Sequence, residues 1–266
     1  MKRVLITGAA GVIGGALRAH LRGRYALRLA DIAPIADLGP GEDHVAADVT
    51  DLAQAEASCA GVACVVHLAA IAAEAPWDAL LALNIDGTYK VFEAARRKGV
   101  RRVVFASSFH AVGFHRRDHT IDTDAPVRPD TRYGVSKVAG EAIGRLYADK
   151  YGLEVACLRI GSFRPRPDNV RQLSTMVTPR DLSELVRCCI DAPPFHFLIA
   201  YGVSGNARNR WHSTAWDFLG FKPQDDAERY AAEIEARGEP EAPLSAAFHG
   251  GPYCEQEFAG DHDKID

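Results

Sequence analysis

The chain has 266 residues, of which 47% are hydrophobic, and its formal net charge at pH 7 is −4. This length and apolar content suit one α/β domain with a large core, and the near balance of acidic and basic residues excludes the footprint of a nucleic-acid-binding protein. No apolar run is long enough to span a membrane, so no membrane contact is expected. The six cysteines have no CxxC spacing, which disfavours a metal site and disulfides and favours a reducing cytoplasm.

The first predicted element is a buried strand over residues 4–6, and a turn with three glycines follows it. Gly8 can make a tight turn, Gly11 lets backbone N–H groups approach a ligand, and Gly14 lets the next helix pack on the sheet. This placement, between a strand and a helix, disfavours an ordinary glycine-rich turn. Because a helix N-terminus attracts anions, the stretch predicts a pyrophosphate and hence a dinucleotide.

The second predicted strand, residues 26–31, ends in Asp31. A carboxylate there accepts hydrogen bonds from the adenosine ribose and repels a 2′-phosphate, so we expect NAD rather than NADP. A short third strand, residues 44–47, precedes Asp48. Asp48 and Thr50 can cap the helix that starts near residue 51, or Asp48 can contact the adenine amino group, and both interpretations stay open.

The rest of the chain alternates between predicted strands and helices. Further strands are predicted at 62–68, 101–106, 154–160 and 195–201, and helices at 77–98, 132–151, 179–192 (capped by Thr178), 214–220 and 225–237. This alternation predicts an α/β fold with a Rossmann-type doubly wound parallel sheet. We expect an NAD-binding domain over residues 1–160 and a small, intertwined substrate-binding region over residues 161–266. His67 is interpreted as a packed side chain, and the last thirty residues show no assignable pattern.

A tyrosine and a lysine four residues apart, Tyr133 and Lys137, share one face of the predicted 132–151 helix. The lysine ammonium, a shielded site and a bound nicotinamide would together lower the pKa of the phenol far enough for it to act as a base. Ser107 and Ser108 end the fifth strand, at the sheet edge where ligands bind. One of these serines can hold the reacting oxygen beside the phenol.

Five sequence features fall in a familiar order: TGAAGVIG (7–14), HLAA (67–70), Asn84, SS (107–108) and YGVSK (133–137). With them the first 160 residues resemble the extended short-chain dehydrogenase/reductase family. The resemblance implies a catalytic trio in which Tyr133 is the base, Lys137 binds the nicotinamide ribose and tunes Tyr133, and Ser108 orients the reacting oxygen. The cofactor contacts expected from it are Gly8, Gly11, Val12, Ile13, Gly14, Asp31, Ile32, Asp48, Val49, Leu68, Ala69, Ala70, Asn84, Ser107, Tyr133, Lys137 and Ile160.

Residues 105–114 and 159–175 look like those of family members that oxidise C1 of glucuronate or galacturonate with NAD and yield an aldarolactone. The substrate contacts that this similarity implies are Ala72, Ser108, Phe109, His110, Tyr133, Ser162 and Arg171. Arg171 would bind the C6 carboxylate through its guanidinium fork, with Arg164 and Arg166 as rivals. Phe109 and Ala72 stand where the family pattern has Asn and Ser, so two polar contacts to the sugar are expected to be missing.

Two other functions stay open. A nucleotide-sugar epimerase or dehydratase on the same scaffold would keep its NAD tightly bound and release no net NADH. A non-catalytic NAD-sensing protein would bind NAD without turnover, which the intact Ser108, Tyr133 and Lys137 argue against. The expected partners are a small sugar acid and further copies of this chain, which would assemble through the helices at 77–98 and 132–151.

Overall fold

The structure is a computed structural model that describes residues 1–265. Its strands are, in chain order, β1 (Arg3–Thr7), β2 (Ala26–Asp31), β3 (Glu42–Ala46), β4 (Cys64–His67), β5 (Arg102–Ser108), β6 (Glu154–Ile160), β7 (Ser162–Phe163), β8 (Met176–Val177) and β9 (Phe197–Gly202). Seven strands of this described part form one parallel sheet in the order β3-β2-β1-β4-β5-β6-β9. The predicted doubly wound sheet is therefore confirmed, and its order reverses between β1 and β4.

Ten α-helices accompany this sheet within the described residues. They are α1 (Val12–Leu21), α2 (Leu52–Cys59), α3 (Trp77–Leu80), α4 (Thr88–Arg97), α5 (Arg132–Tyr151), α6 (Gln172–Thr175), α7 (Pro179–Asp191), α8 (Ala215–Leu219), α9 (Ala231–Ala236) and α10 (Pro243–Ala247). A π-helical segment, Leu81–Gly87, joins α3 to α4, so the helix predicted at 77–98 exists with one wider stretch inside it.

The core has two layers, one on each face of the sheet. On one face α1 and α7 bury apolar side chains such as Leu17 and Leu185 against β1 and β6. On the other face α2, α4 and α5 bury side chains such as Phe92 and Tyr147. β6 is buried along its whole length, as expected of a parallel strand covered on both faces. This packing fixes the carboxyl ends of β1, β4, β5 and β6 along one rigid edge.

Side-chain caps set where the helices begin. Thr178 Oγ1 accepts a hydrogen bond from Asp181 N at 3.2 Å, which confirms the predicted start of α7. At α2 the cap is Asp51, which accepts from two amides of the first turn. The interpretation of Asp48 and Thr50 as caps is wrong, because Asp48 Oδ1 closes a local turn by accepting from Thr50 N and Oγ1, each at 2.8 Å.

The region after β6 departs most from the predictions. Residues 161–169, for which no element was predicted, contain β7, which pairs with β8. Of the last thirty residues, left unassigned, those up to residue 265 include α10 and two 3₁₀ turns, Gly251–Glu255 and His262–Lys264, and Asp266 lies outside the described residues. β9 joins the sheet beside β6, and the division of the chain at residue 160 stays a prediction.

Several buried side chains behave as the sequence predicted. His67 lies between Thr7 Oγ1 at 2.7 Å and Thr88 Oγ1 at 3.1 Å, and burial lowers its pKa to about 3, so it is a neutral packed side chain. All six cysteines are buried free thiols. Among residues 1–265, no helix is both long and apolar enough to cross a membrane.

Candidate active site

A cavity of about 1100 Å³ runs along the carboxyl edge of the sheet. The glycine turn after β1 and Asp31 at the end of β2 line one end of the cavity. The ends of β5 and β6 and a C-terminal turn line the other. The cavity therefore lies at the switch point of the strand order, where open α/β sheets bind their ligands.

The glycine turn packs tightly against the backbone around it and lines the cavity at the N-terminus of α1. Gly8 has φ +69°, and a Cβ there would lie 2.7 Å from Ala69 N, while a Cβ on Gly14 would lie 2.6 Å from Gly8 O. Gly11 is the N-cap of α1 and has no side chain to accept hydrogen bonds from the first N–H groups of the helix. No side-chain cap therefore competes with a ligand for these groups. This cradle fits the pyrophosphate of a dinucleotide.

Asp31 is held by the backbone at the mouth of the cavity. Its Oδ2 accepts from Ala10 N at 2.9 Å and its Oδ1 accepts from Ala33 N at 3.0 Å. These bonds orient the carboxylate toward the cavity that it lines. Ile32 and Val12 beside it are 78% and 82% exposed, which suits apolar contacts with an adenosine.

Every residue that we expected to bind the cofactor lines this cavity except one, Asn84. Asn84 is 1% exposed and lies behind the cavity wall. Its Oδ1 accepts from Ile71 N at 2.8 Å, and its Nδ2 donates to Ile71 O at 2.9 Å and to Ser136 Oγ at 3.0 Å. All its polar atoms are engaged, so Asn84 braces the loop after β4 against α5 and does not face the cavity.

The structure brings the predicted trio together on the cavity wall. Tyr133 and Lys137 face it from α5, and Ser108 faces it from the end of β5. Lys137 Nζ donates to Ala106 O at 2.8 Å and lies 5.6 Å from the centre of the Tyr133 ring. Glu74 Oε2 accepts from Tyr133 N at 2.9 Å, which fixes the start of α5.

Burial dominates the acid–base properties of this trio. It raises the pKa of Tyr133 to about 12, although the hydrogen bond with Ser108 opposes the rise. It lowers the pKa of Lys137 to about 8. Both shifts favour the neutral forms, because a charged group loses its hydration when it is buried. The expectation that a shielded site lowers the pKa of the phenol is therefore wrong, because burial raises it. The protein alone holds the phenol protonated, and a bound positive charge is needed to make Tyr133 a base at neutral pH.

A buried ion pair supports the trio from behind. Glu141 lies one turn after Lys137 on α5, and its carboxylate accepts two hydrogen bonds from Arg159, each 2.9 Å long. The same carboxylate accepts from Ser107 Oγ at 2.6 Å. This network ties α5 to the ends of β5 and β6, which carry the cavity wall.

The expected substrate contacts lie together at the far end of the cavity. His110 Nδ1 lies 2.6 Å from Asp130 Oδ2, and Tyr253 stacks on the His110 ring at 4.1 Å. The Arg171 guanidinium lies 5.0 Å from the centre of the Phe109 ring. Among the residues that the sequence singled out for the substrate, Ala72, Ser108, Phe109, His110, Tyr133, Ser162 and Arg171 all line the cavity.

Arg171 is better placed than its two rivals to bind an anion in the cavity. Arg166 is paired with Glu233 at 2.8 Å and does not line the cavity. Arg164 lines the cavity but is paired with Asp168. Burial lowers the pKa of Arg171 to about 10, so it still carries its charge at neutral pH.

Sequence reasoning missed the contribution of the C-terminal segment to the site. Pro252 and Tyr253 line the substrate end of the cavity, although they lie in the thirty residues without an assignable pattern. The one local signal there is Tyr253, two positions after a Gly-Gly pair. It does not indicate that the segment packs against the chain that follows β5.

Known proteins resemble this chain over nearly its full length. The model of the NAD dependent epimerase/dehydratase family matches residues 4–184. Uronate dehydrogenase of Pseudomonas putida is 40% identical over 95% of this chain and 95% of that protein. NAD-dependent glucose-6-phosphate dehydrogenase of Haloferax volcanii is 39% identical over 89% of this chain and 97% of that protein.

A solved structure gives the same result for the fold. It is a mutant of uronate dehydrogenase from Agrobacterium tumefaciens complexed with NAD, and it superimposes with a TM-score of 0.91 at 40% identity, covering 96% of this chain and 97% of that one. The resemblance noted in the sequence is thus confirmed. This chain belongs to the NAD-dependent epimerase/dehydratase family, and within it is similar to uronate dehydrogenases.

Proposed function

We propose that this protein oxidises the C1 hydroxyl of a free hexuronic acid, glucuronate or galacturonate, to the aldarolactone with NAD⁺ as the oxidant. The observation that carries the proposal is the placement of Arg171 and the trio of Ser108, Tyr133 and Lys137 on the wall of one cavity. A uronate has its reacting hydroxyl at C1 and its carboxylate at C6, so it needs a base at one end and a fixed cation at the other.

The residues at the adenosine and pyrophosphate end fit NAD. The Gly8 to Gly14 turn presents backbone amides to a pyrophosphate, and Asp31 presents a carboxylate that would repel the 2′-phosphate of NADP. When bound, NAD⁺ supplies the acceptor for the hydride. Its positive nicotinamide also favours the phenolate of Tyr133, which burial alone disfavours.

In the proposed step the uronate places its anomeric hydroxyl between Ser108 and Tyr133. The hydroxyl proton passes to the Tyr133 phenolate, the hydride leaves C1 with its electron pair, and a C1–O double bond forms. Lys137 supports the phenolate through its charge. The products are the lactone, NADH and protonated Tyr133, which returns its proton to water.

The proposed contact of the uronate carboxylate is the free end of the Arg171 guanidinium. Nε and Nη2 of Arg171 donate to His249 O and Gly250 O at 2.8–3.2 Å, whereas Nη1 makes no hydrogen bond within residues 1–265. The fork anticipated from the sequence is therefore occupied on one edge. A carboxylate would bind Nη1, and the neighbouring imidazole of His110 would contact a sugar hydroxyl.

A sugar phosphate is a second candidate substrate, because Arg164 adds another guanidinium to the cavity wall. The Nε of Arg164 is buried and lacks a hydrogen-bond partner within the described residues. Two cations suit a phosphate dianion, and a relative named above is a glucose-6-phosphate dehydrogenase.

The test is the growth of NADH absorbance when the purified protein and NAD⁺ are mixed with glucuronate, galacturonate, glucose, galactose or glucose 6-phosphate. Fast NADH formation with the uronates and little with the neutral sugars supports the proposal. Preference for glucose 6-phosphate replaces it with the second candidate. Retained NAD without net NADH indicates an epimerase or dehydratase, and NAD binding without any turnover indicates a sensor.

We further propose that the protein is a homo-oligomer and acts in the cytoplasm. Several large apolar side chains on α3 to α5 are 42–50% exposed, namely Trp77, Leu81, Tyr89, Leu146 and Tyr151. Burying them against a second copy would remove this apolar surface from water. Light scattering after gel filtration tests the assembly, and a monomer at micromolar concentration would contradict it.

A further inference from the structure

The C-terminal segment 248–254 crosses the substrate end of the cavity. Backbone N–H groups of His249 and Gly250 donate to the carbonyl oxygens of His115 and Gly113 at 3.0 and 2.8 Å. These bonds fix the segment against the chain that leaves β5. The segment contains a pair of glycines, Gly250 and Gly251. This pair lies between the guanidinium of Arg171 on one side and the His110–Asp130 pair on the other.

On the guanidinium side the segment leaves Arg171 almost no freedom. The carbonyl oxygens of His249 and Gly250 accept its Nε and Nη2 hydrogens, and the Phe109 ring lies 5.0 Å away. Gly251 has φ +60°, and a Cβ at this position would overlap Nε, Cδ and Cζ of Arg171. A larger residue at position 251 would therefore displace the guanidinium.

On the imidazole side the neighbouring glycine gives space to Asp130. A Cβ on Gly250 would overlap Asp130 Oδ2, the oxygen that lies 2.6 Å from His110 Nδ1, and would come within 2.7 Å of Cys254 Sγ. Tyr253 of the same segment stacks on the other side of His110 at 4.1 Å. The imidazole is thus held from two directions by the segment and its neighbours.

We propose that the Gly250–Gly251 pair is a positioning element for substrate binding, which places Arg171 and, through Asp130, His110 at the geometry that a sugar acid requires. The inference rests on the proposed function, since it gives Arg171 the substrate carboxylate. Neither glycine touches the substrate. Their absent side chains allow one short segment to supply two carbonyl acceptors to Arg171 while it packs against Asp130.

The test compares two glycines that share a left-handed backbone conformation. Gly251→Ala forces a methyl group into Arg171, whereas Gly220→Ala, at φ +65°, meets no atom within 4 Å and introduces only the backbone strain. We expect Gly251→Ala to raise the KM for glucuronate by about tenfold or more, which corresponds to a charged hydrogen bond, with the KM for NAD⁺ unchanged. Gly220→Ala should leave both KM values unchanged and lower Tm less than Gly251→Ala does, because it adds backbone strain without the clash.

A double variant shows whether the glycine acts through the arginine. In an Arg171→Ala background the clash is gone, so adding Gly251→Ala should change kcat/KM for glucuronate by less than about twofold. It should also cost no more Tm than Gly220→Ala does. If Gly251→Ala alone fails to fold, the double variant should recover the fold for the same reason.

The outcomes separate this inference from the function on which it rests. An unchanged glucuronate KM in Gly251→Ala, or full additivity with Arg171→Ala, overturns the positioning role alone. A double variant that stays unfolded also overturns it, since the clash would then lie elsewhere. An unchanged glucuronate KM in Arg171→Ala, or no NADH from the unsubstituted protein, removes the carboxylate contact and the inference with it.

Discussion

Lys137 Nζ lies 5.6 Å from the centre of the Tyr133 ring, and the same cause, burial, moves the pKa values of these two residues in opposite directions and apart from each other. The pKa of Tyr133 rises to about 12 and that of Lys137 falls to about 8. At pH 7 the buried phenol of Tyr133 is therefore neutral, whereas Lys137 is still mostly charged. This pair makes the acid–base behaviour of the cavity dependent on what binds there.

Replacing Tyr133 by Phe should remove the base while leaving the cavity shape intact. We expect kcat to fall by about 10²–10⁴, the usual contribution of a positioned acid or base. NAD⁺ affinity, measured by quenching of protein fluorescence, should change little, because the glycine turn and Asp31 are unaffected. Turnover within a few-fold of the unsubstituted protein would exclude Tyr133 as the base.

The pH profile should depend on Lys137. The oxidation needs the phenolate, so kcat should rise with pH until Tyr133 is deprotonated in the complex with NAD⁺ and substrate. A charged Lys137 favours the phenolate, and its pKa of about 8 means that it is charged below this pH and neutral above it. Lys137→Met should therefore shift the rising limb of the profile to higher pH. An unshifted limb with a lower plateau would limit Lys137 to cofactor binding.

Asp31→Ala should reduce the preference of the protein for NAD⁺ over NADP⁺. The carboxylate is fixed by Ala10 N and Ala33 N at the cavity mouth, where a 2′-phosphate would meet it. Removing this repulsion should change the ratio of kcat/KM for NAD⁺ over NADP⁺ by about tenfold or more in favour of NADP⁺. Asp48→Ala, at the same end of the cavity, is the control. An unchanged ratio in Asp31→Ala would remove the assignment of this carboxylate.

Local spacing was enough to single out the glycine turn, Asp31 and the pair of Tyr133 and Lys137, whereas the choice of Ser108 came from the family resemblance. The glycine turn, Asp31 at the end of β2 and the four-residue step from Tyr133 to Lys137 each depend on one strand or one helix. Their meeting then follows from the parallel sheet, because carboxyl ends of parallel strands share an edge. The alternation of strands and helices alone predicts this sheet.

Long-range contacts could not be predicted in this way. Tyr253 stacks on His110, although more than a hundred residues of sequence separate them. The C-terminal segment has no periodic pattern of apolar residues that would indicate its packing against the substrate end of the cavity. Asn84 was assigned to the cofactor through a family motif, but its amide is satisfied by Ile71 and Ser136 on the far side of the wall. The motif gave its position in the chain and not the direction of its side chain.

The buried ion pair behind the trio should be costly to break and less costly to replace. Arg159 is 1% exposed, and its two bonds to Glu141 compensate the loss of hydration. Glu141→Gln keeps the volume but leaves the guanidinium without its counter-charge, which should lower the free energy of unfolding by about 3–5 kcal/mol. Urea denaturation measures this loss.

Two further variants test whether the loss of stability in Glu141→Gln comes from the uncompensated buried charge. Glu233→Gln breaks an exposed ion pair with Arg166 and Arg237 and should cost less than about 1 kcal/mol. The double variant Glu141→Leu/Arg159→Met removes both buried charges, so it should be more stable than Glu141→Gln although it loses more hydrogen bonds. If the double variant were the less stable of the two, the hydrogen bonds to Ser107 and between the pair, rather than the uncompensated charge, would hold α5 against the sheet.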